Sequence, residues 1–171
     1  ATSATDIGCD AYGTSLHKWT SGPIGTGMLY LRKDRISEVW PLMAAPESMD
    51  GNIRKFEEIG THSAGMHNAL SEAVQFQRAI GIERKSARLR QLHRVWTDQL
   101  AVFDNVSFLT DLTNDRNQCG IRLVSIRSAD DKDLDSGKVS EWLLNKHHIF
   151  TVGIAHDQFK GLRVTPNVYT T

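Results

Sequence analysis

Neither sign of charge prevails in this chain. Its 20 lysines and arginines face 20 aspartates and glutamates, so the formal net charge is zero. A protein that binds nucleic acid through bulk charge carries a basic excess or stripe, and no nucleic-acid partner is expected here. Long apolar runs are also missing: none approaches the roughly 20 residues of a membrane helix, so no membrane span is expected. Nothing at the start has the basic-then-apolar pattern of a signal peptide. Cysteine is scarce. Cys9 and Cys119 are too few for a disulfide framework, and no C-x-x-C spacing is present for zinc. A reducing, cytoplasmic setting is the expectation. Internal repeats are absent as well, which excludes a solenoid.

What is present is ordinary for a folded domain, with 40% hydrophobic and 23% charged residues. The 171 residues allow one domain, or one and part of a second. Gly27-Met28-Leu29-Tyr30-Leu31-Arg32 reads as a strand, and Cys9 to Ser15 as another or its end. Residues 43–60, with Pro46, Gly51 and Gly60, read as a loop. Met66, Leu70, Ala73, Val74 and Ile80 fall largely on one helical face, and Gly81 ends that run. A second amphipathic helix follows, with Leu89, Leu92, Trp96, Leu100 and Phe103 as its apolar stripe.

From residue 105 the texture changes. Val106–Leu109 and Ile121–Ile126 alternate as half-buried strands do. Val139, Trp142 and Leu143 mark a face of a short helix, and Ile149–Val152 and Leu162–Thr165 close the chain as strands. Two strands, a helix and two strands predict a small α+β domain with a mainly antiparallel sheet. The boundary is placed at or near the end of the second long helix, giving domains 1–104 and 105–171.

Several constellations have simpler readings than the chemistry they suggest. Gly22-Pro23-Ile24-Gly25-Thr26-Gly27 is followed by a strand and lacks a closing Lys-Ser/Thr, so it is not a phosphate loop. Asp131-Lys132-Asp133-Leu134-Asp135 resembles a calcium loop, but its glycine comes late and Trp142 stands where a glutamate is required. Acids leading into a helix complement its dipole. Arg84, Lys85, Arg88, Arg90 and Arg94 form a locally basic helix read as a solvated face. The histidines show no pair of ligands on one helical face; His62 and His67 are five apart, and no metal site is expected. Cys119 has no helix N-terminus or histidine near it in sequence and reads as a small buried residue.

Ser15-Leu16-His17-Lys18 stands apart. Small, apolar and glycine-rich residues surround it: Asp10-Ala11-Tyr12-Gly13-Thr14 before, and Trp19-Thr20-Ser21-Gly22-Pro23 after. An amine that loses solvation in such a place becomes a nucleophile toward a carbonyl. Ser15 and His17, at alternate positions of an extended segment, can donate together to an anion.

Asp10-x4-Ser15-Leu16-His17-Lys18-Trp19 followed by Gly22-Pro23-x-Gly25-Thr26-Gly27-x-Leu29-Tyr30 resembles the cofactor-lysine region of the class V aminotransferases. The resemblance extends through Phe56-Glu57-Glu58-Ile59-Gly60-Thr61 and Leu162-Arg163-Val164-Thr165-Pro166-Asn167-Val168-Tyr169-Thr170, in the family's order, and is nearest to its isopenicillin-N-epimerase-like members. It implies a pyridoxal 5'-phosphate enzyme of fold type I: α/β, with the end of the large cofactor domain followed by the small α+β domain. Lys18 matches the lysine that forms the Schiff base and shuttles the α-proton. Ser15 and His17 match groups that hold the cofactor phosphate. Thr61 matches a residue that reaches the phosphate of the neighbouring subunit, which implies a homodimer with a shared active site. Arg163 matches the arginine that grips the α-carboxylate of an amino-acid substrate, where a planar fork suits the acceptor.

The departures from the family carry equal weight. The aspartate for the pyridine nitrogen, the ring-stacking side chain and a glycine-rich phosphate turn belong upstream of Lys18, and the family's final helix follows its C-terminal motif. None is present, so the chain reads as the C-terminal part of a longer protein that would bind cofactor poorly alone. Ile149 to Thr171 contains no cysteine, which counts against a desulfurase. The expected activity is transamination or epimerisation of an amino acid. A lyase of the same family is the alternative, and a non-catalytic interaction module is the reading from another class.

Overall fold

A computed structural model of the chain describes residues 7–114 and 117–171. Two compact units meet in sequence between Ile82 and Glu83. The first begins with an antiparallel hairpin of β1, Ala11–Ser15, and β2, Gly27–Leu31. Ser15 is paired with Gly27 and Ala11 with Leu31, so the hairpin closes around the 16–26 turn. At its open end Asp10 accepts from Arg32 at 2.6 Å, and Arg35 approaches the same carboxylate at 3.6 Å. The segment expected as a loop holds short 3-10 turns at Glu47–Met49 and Ile53–Glu57. Their i+3 hydrogen bonds are too local to leave a hydrophobic period in the sequence.

Helix α1, Ala64–Ile80, ends where Gly81 takes a φ of 81° that few side chains tolerate. Its inward face is narrower than expected. Ala73 is buried, whereas Val74 is 41% exposed. The hairpin turn meets the helix at Met66, Leu70 and Gln77.

Helix α2, Ile82–Leu100, begins at the boundary, and the second unit takes it up from Glu83. The expected stripe is displaced: its buried positions are Leu89, His93 and Thr97, and Phe103 lies beyond the helix, exposed. Strands β3, Val106–Phe108, β4, Arg122–Ile126, β5, Val152–Ala155, and β6, Lys160–Val164, form one sheet in the order β3-β4-β6-β5. Every neighbouring pair is antiparallel. The mixed α/β content and antiparallel sheets agree with the fold class read from the sequence.

Helix α3, Ser136–His147, joins β4 to β5. Asp135 caps it by accepting from the amides of Gly137 and Lys138, so this acid of the calcium-like run serves the helix start. Ser136 and Ser140 donate to the carbonyls of Ile154 and Thr151, which fastens the helix to the β5 region. Gly153 permits the close approach, since a Cβ there would stand 2.6 Å from the Ser136 carbonyl oxygen.

Three local expectations need correction. β5 starts at Val152 rather than Ile149, because His148 adopts a left-handed cap and the Ile149 amide still donates to Leu143. Trp142 is half exposed and packs its ring against His147 instead of the core. Cys119 is exposed, not buried; its sulfur exchanges hydrogen bonds with the Ile121 backbone in a tight local turn.

Candidate functional site

The Ser15–Lys18 segment leaves β1 and enters a turn pinned by backbone hydrogen bonds. The Leu16 amide donates to the Thr26 carbonyl at 3.0 Å, and the Gly22 amide donates back to Leu16 at 2.8 Å. Between them the Ser21 amide donates to the Lys18 carbonyl at 3.2 Å. Ser21 holds a left-handed φ of 63°, a conformation that costs a non-glycine residue about 1 kcal/mol. Thr26 is buried and bonds the Pro23 carbonyl through both its hydroxyl and its amide. These contacts fix the backbone that carries Lys18.

Helix α1 supports the same turn. The Gln77 side-chain amide donates to the Ser21 hydroxyl at 3.2 Å. Gly22 admits the helix: a Cβ would lie 2.9 Å from Leu70 Cδ2 and 3.0 Å from the Leu16 carbonyl oxygen. The glycine-rich run that could be mistaken for a phosphate loop is thus the packing seat of a helix and the lead into β2.

Side chains at the turn differ in their exposure and partners. Ser15 and Lys18 are exposed, and among the described residues Lys18 Nζ makes no hydrogen bond or ion pair. His17 is half-buried, and its Nδ1 is buried without a partner. A buried nitrogen left unpaired costs about 1–3 kcal/mol, which an acceptor on a bound molecule would recover.

A cleft of about 1210 Å³ opens in the same unit beside the hairpin. Thr14, Thr26 and Met28 line it from the hairpin, and Phe56, Thr61 and His67 from the other side. Thr61 therefore stands in a ligand-sized space, whereas Ser15, His17 and Lys18 are not part of that lining. His62 and His67 meet edge to face with ring centroids 4.8 Å apart. Their Nδ1 atoms face the carbonyls of Gly60 and Ser63, which can only accept, so Nδ1 is the donor in each contact.

Thr14 and Thr26 carry no site role in the sequence reading: a threonine in a strand, as Thr14 is, ordinarily signals only β propensity, and Thr26 stands in the turn as part of a glycine-rich run. His62 and His67 were seen there, but their spacing of five gave no reason to join them. Arg163 belongs to the second unit, in β6 between partners Leu123 of β4 and Val152 of β5. It is exposed, and among the described residues it has no hydrogen bond or ion pair. Among the described residues no group of three or more histidine, cysteine or acidic side chains converges on one point, and no helix is long and apolar enough to cross a membrane.

A family model described as Aminotransferase class-V matches residues 2–138. A probable cysteine desulfurase of Xylella fastidiosa is 34% identical over 110 residues, covering 58% of this chain and 26% of the relative. An isopenicillin N epimerase of Streptomyces clavuligerus is 31% identical over 102 residues, covering 50% and 26%. The chain thus spans about a quarter of the length of these relatives. Among solved structures, a NifS-like protein from Rickettsia africae superposes with a TM-score of 0.67 at 15% identity, over 98% of this chain and 44% of that one. An alanine–glyoxylate aminotransferase from Nostoc sp. gives 0.61 at 16%, over 92% and 42%. At such identities the superpositions speak for the fold alone. With a fixed lysine turn after a strand, and a family match over most of its length, the chain belongs to the class V aminotransferase family.

Proposed function

We propose that this chain is part of a pyridoxal-phosphate enzyme that transaminates or epimerises an amino acid, with Lys18 as the attachment point. The observation that carries this reading is the buried, unpartnered His17 Nδ1 beside the unpaired Lys18 amine, on a backbone pinned from both sides. The donor set fits a phosphorylated aldehyde. Ser15 Oγ and His17 Nδ1 would hold the phosphate oxygens as donors, and the exposed Lys18 amine would be the group that anchors the aldehyde end, with the carbonyl oxygen leaving as water. The cofactor, when bound, supplies an electron sink that acidifies the α-carbon of an amino acid.

The remaining roles fall to this chain. Lys18 Nζ would serve as the base that holds and returns the α-proton of the substrate. The Thr61 hydroxyl donates to the phosphate held by the neighbouring subunit of a homodimer. Its place in a cleft that excludes Ser15, His17 and Lys18 supports that division of labour. Arg163 grips the substrate carboxylate with a two-pronged donor. Residues 1–104 would then complete the large domain and 105–171 would form the small one. A lyase of the same family is the second reading. The similarity to a probable cysteine desulfurase is in line with chemistry at the β-position, while the absence of cysteine from Ile149 to Thr171 counts against a desulfurase itself.

Borohydride reduction of the full-length protein with pyridoxal phosphate, followed by peptide mapping, tests the proposal. The label belongs on Lys18. Label on another lysine overturns the assignment.

A further inference from the structure

Lys55 is the one lysine whose side chain is nearly lost from solvent among the described residues, at 3% exposure. Its ammonium donates to the Asp50 backbone carbonyl at 2.9 Å and to Asp50 Oδ1 at 3.1 Å. It also stands 5.4 Å from the centroid of the Phe56 ring. Burying a charge on a flexible stem is costly, and a short 3-10 turn has little core to justify it. The position of that turn is what the contact secures.

Phe56 lines the cleft, and so does Thr61 five residues on. The chain between them has little freedom. The Ile59 amide donates to the Glu57 carbonyl at 2.8 Å, Gly60 turns at a φ of 82°, and His62 Nδ1 donates back to the Gly60 carbonyl at 2.9 Å. On the near side, the Lys55 amide donates to the Asn52 carbonyl, and the Asn52 side chain accepts from the Arg54 amide. These local bonds tie the segment from Asn52 to Gly60, so the placement of Lys55 bears on that of Thr61, which follows Gly60.

We propose that Lys55 is a positioning residue: its clamp on Asp50 and its contact with Phe56 hold the 53–61 wall of the cleft so that Thr61 meets the cofactor phosphate. This rests on the reading of Thr61 given above. Lys55 touches no reacting group itself; it acts through the wall.

The test is a double-mutant cycle on the full-length protein. Pyridoxal phosphate is titrated into the apoprotein by absorbance for the wild type, Thr61→Val, Lys55→Met and the double variant, with the melting temperature recorded for each. Thr61→Val and Lys55→Met are each expected to weaken cofactor binding about tenfold, the scale of one lost hydrogen bond to a charged group. The double variant is expected to bind no worse than Thr61→Val, a non-additivity that a general loss of stability does not produce. Asp50→Asn, which keeps an acceptor oxygen but removes the charge, should act in the same direction and serves if Lys55→Met does not fold. Normal binding by the Lys55 and Asp50 variants, with Thr61→Val weakened, overturns the positioning role and leaves the Thr61 reading intact. Fully additive effects overturn it too. Normal binding by Thr61→Val removes the Thr61 reading first, and the positioning role with it.

Discussion

Arg122 of β4 donates from Nη1 to the hydroxyl of Thr97 on α2 at 3.2 Å, and both side chains are buried. The same hydroxyl donates to the His93 carbonyl one turn back at 2.9 Å, while Arg122 Nη2 donates to Gln118 Oε1 at 2.8 Å. One threonine thus joins the helix to a guanidinium under the sheet. Thr97→Val keeps the shape and removes the acceptor. It should lower stability by about 1–3 kcal/mol, the cost of leaving a buried donor unpaired. Chemical denaturation of the full-length variant measures this, and an unchanged midpoint would show that Arg122 finds another acceptor.

His93, fully buried beside Arg122, makes stability depend on pH. Burial depresses its pKa below the ordinary histidine value, and the Arg122 charge depresses it further. The folded chain therefore keeps His93 neutral where the unfolded chain, with a histidine pKa of about 6.5, already takes a proton. Its contribution is intact above that value, is lost as pH falls through it, and stops declining only below the depressed folded pKa. Melting temperatures between pH 8 and pH 5, taken for the wild type and His93→Phe, should show a flatter acid limb in the variant. Parallel limbs would place the acid sensitivity elsewhere.

Gly22→Ala should disturb the turn that carries Lys18 without altering any proposed donor. The added Cβ presses on Leu70 Cδ2, which can yield, and on the Leu16 carbonyl oxygen and Thr26 Oγ1, which are fixed by hydrogen bonds. Such crowding costs about 1–3 kcal/mol when the neighbours cannot move. Weaker uptake of pyridoxal phosphate is the expected result, and a variant that binds normally would show the turn to be more compliant than its hydrogen bonds imply.

Arg163→Lys separates substrate from cofactor. The charge is retained and the planar fork is lost, so kcat/KM should fall by about 2–3 kcal/mol in free-energy terms. The cofactor spectrum should stay as it is. Loss of cofactor with a normal KM would assign Arg163 to the cofactor or the fold.

Much of the framework is legible in the sequence. The β1–β2 hairpin, the break at Gly81, the start of α3 after an acid and the strands after residue 105 each follow from local chemistry: alternation, a left-handed glycine, a side-chain cap. The lysine motif was equally visible, because its residues are contiguous and its turn is closed by bonds within 10 residues of one another, from Leu16 to Thr26.

Sequence by itself determined which residues can share a helix face or a strand face, and where the chain must turn. Tertiary packing decided which of those faces is covered. Val74 lies in the predicted stripe of α1 yet is exposed, whereas Leu70 and Gln77 of the same helix meet the hairpin turn. His93 and Thr97 took the centre of the α2 face from the leucines because Arg122, 25 residues beyond Thr97, needed a buried acceptor there. Lys55 looked like any surface lysine until Asp50 and Phe56 enclosed it. Periodicity reports the direction a side chain leaves the backbone; burial depends on what arrives from elsewhere, and a polar group stays buried only where a distant partner satisfies it.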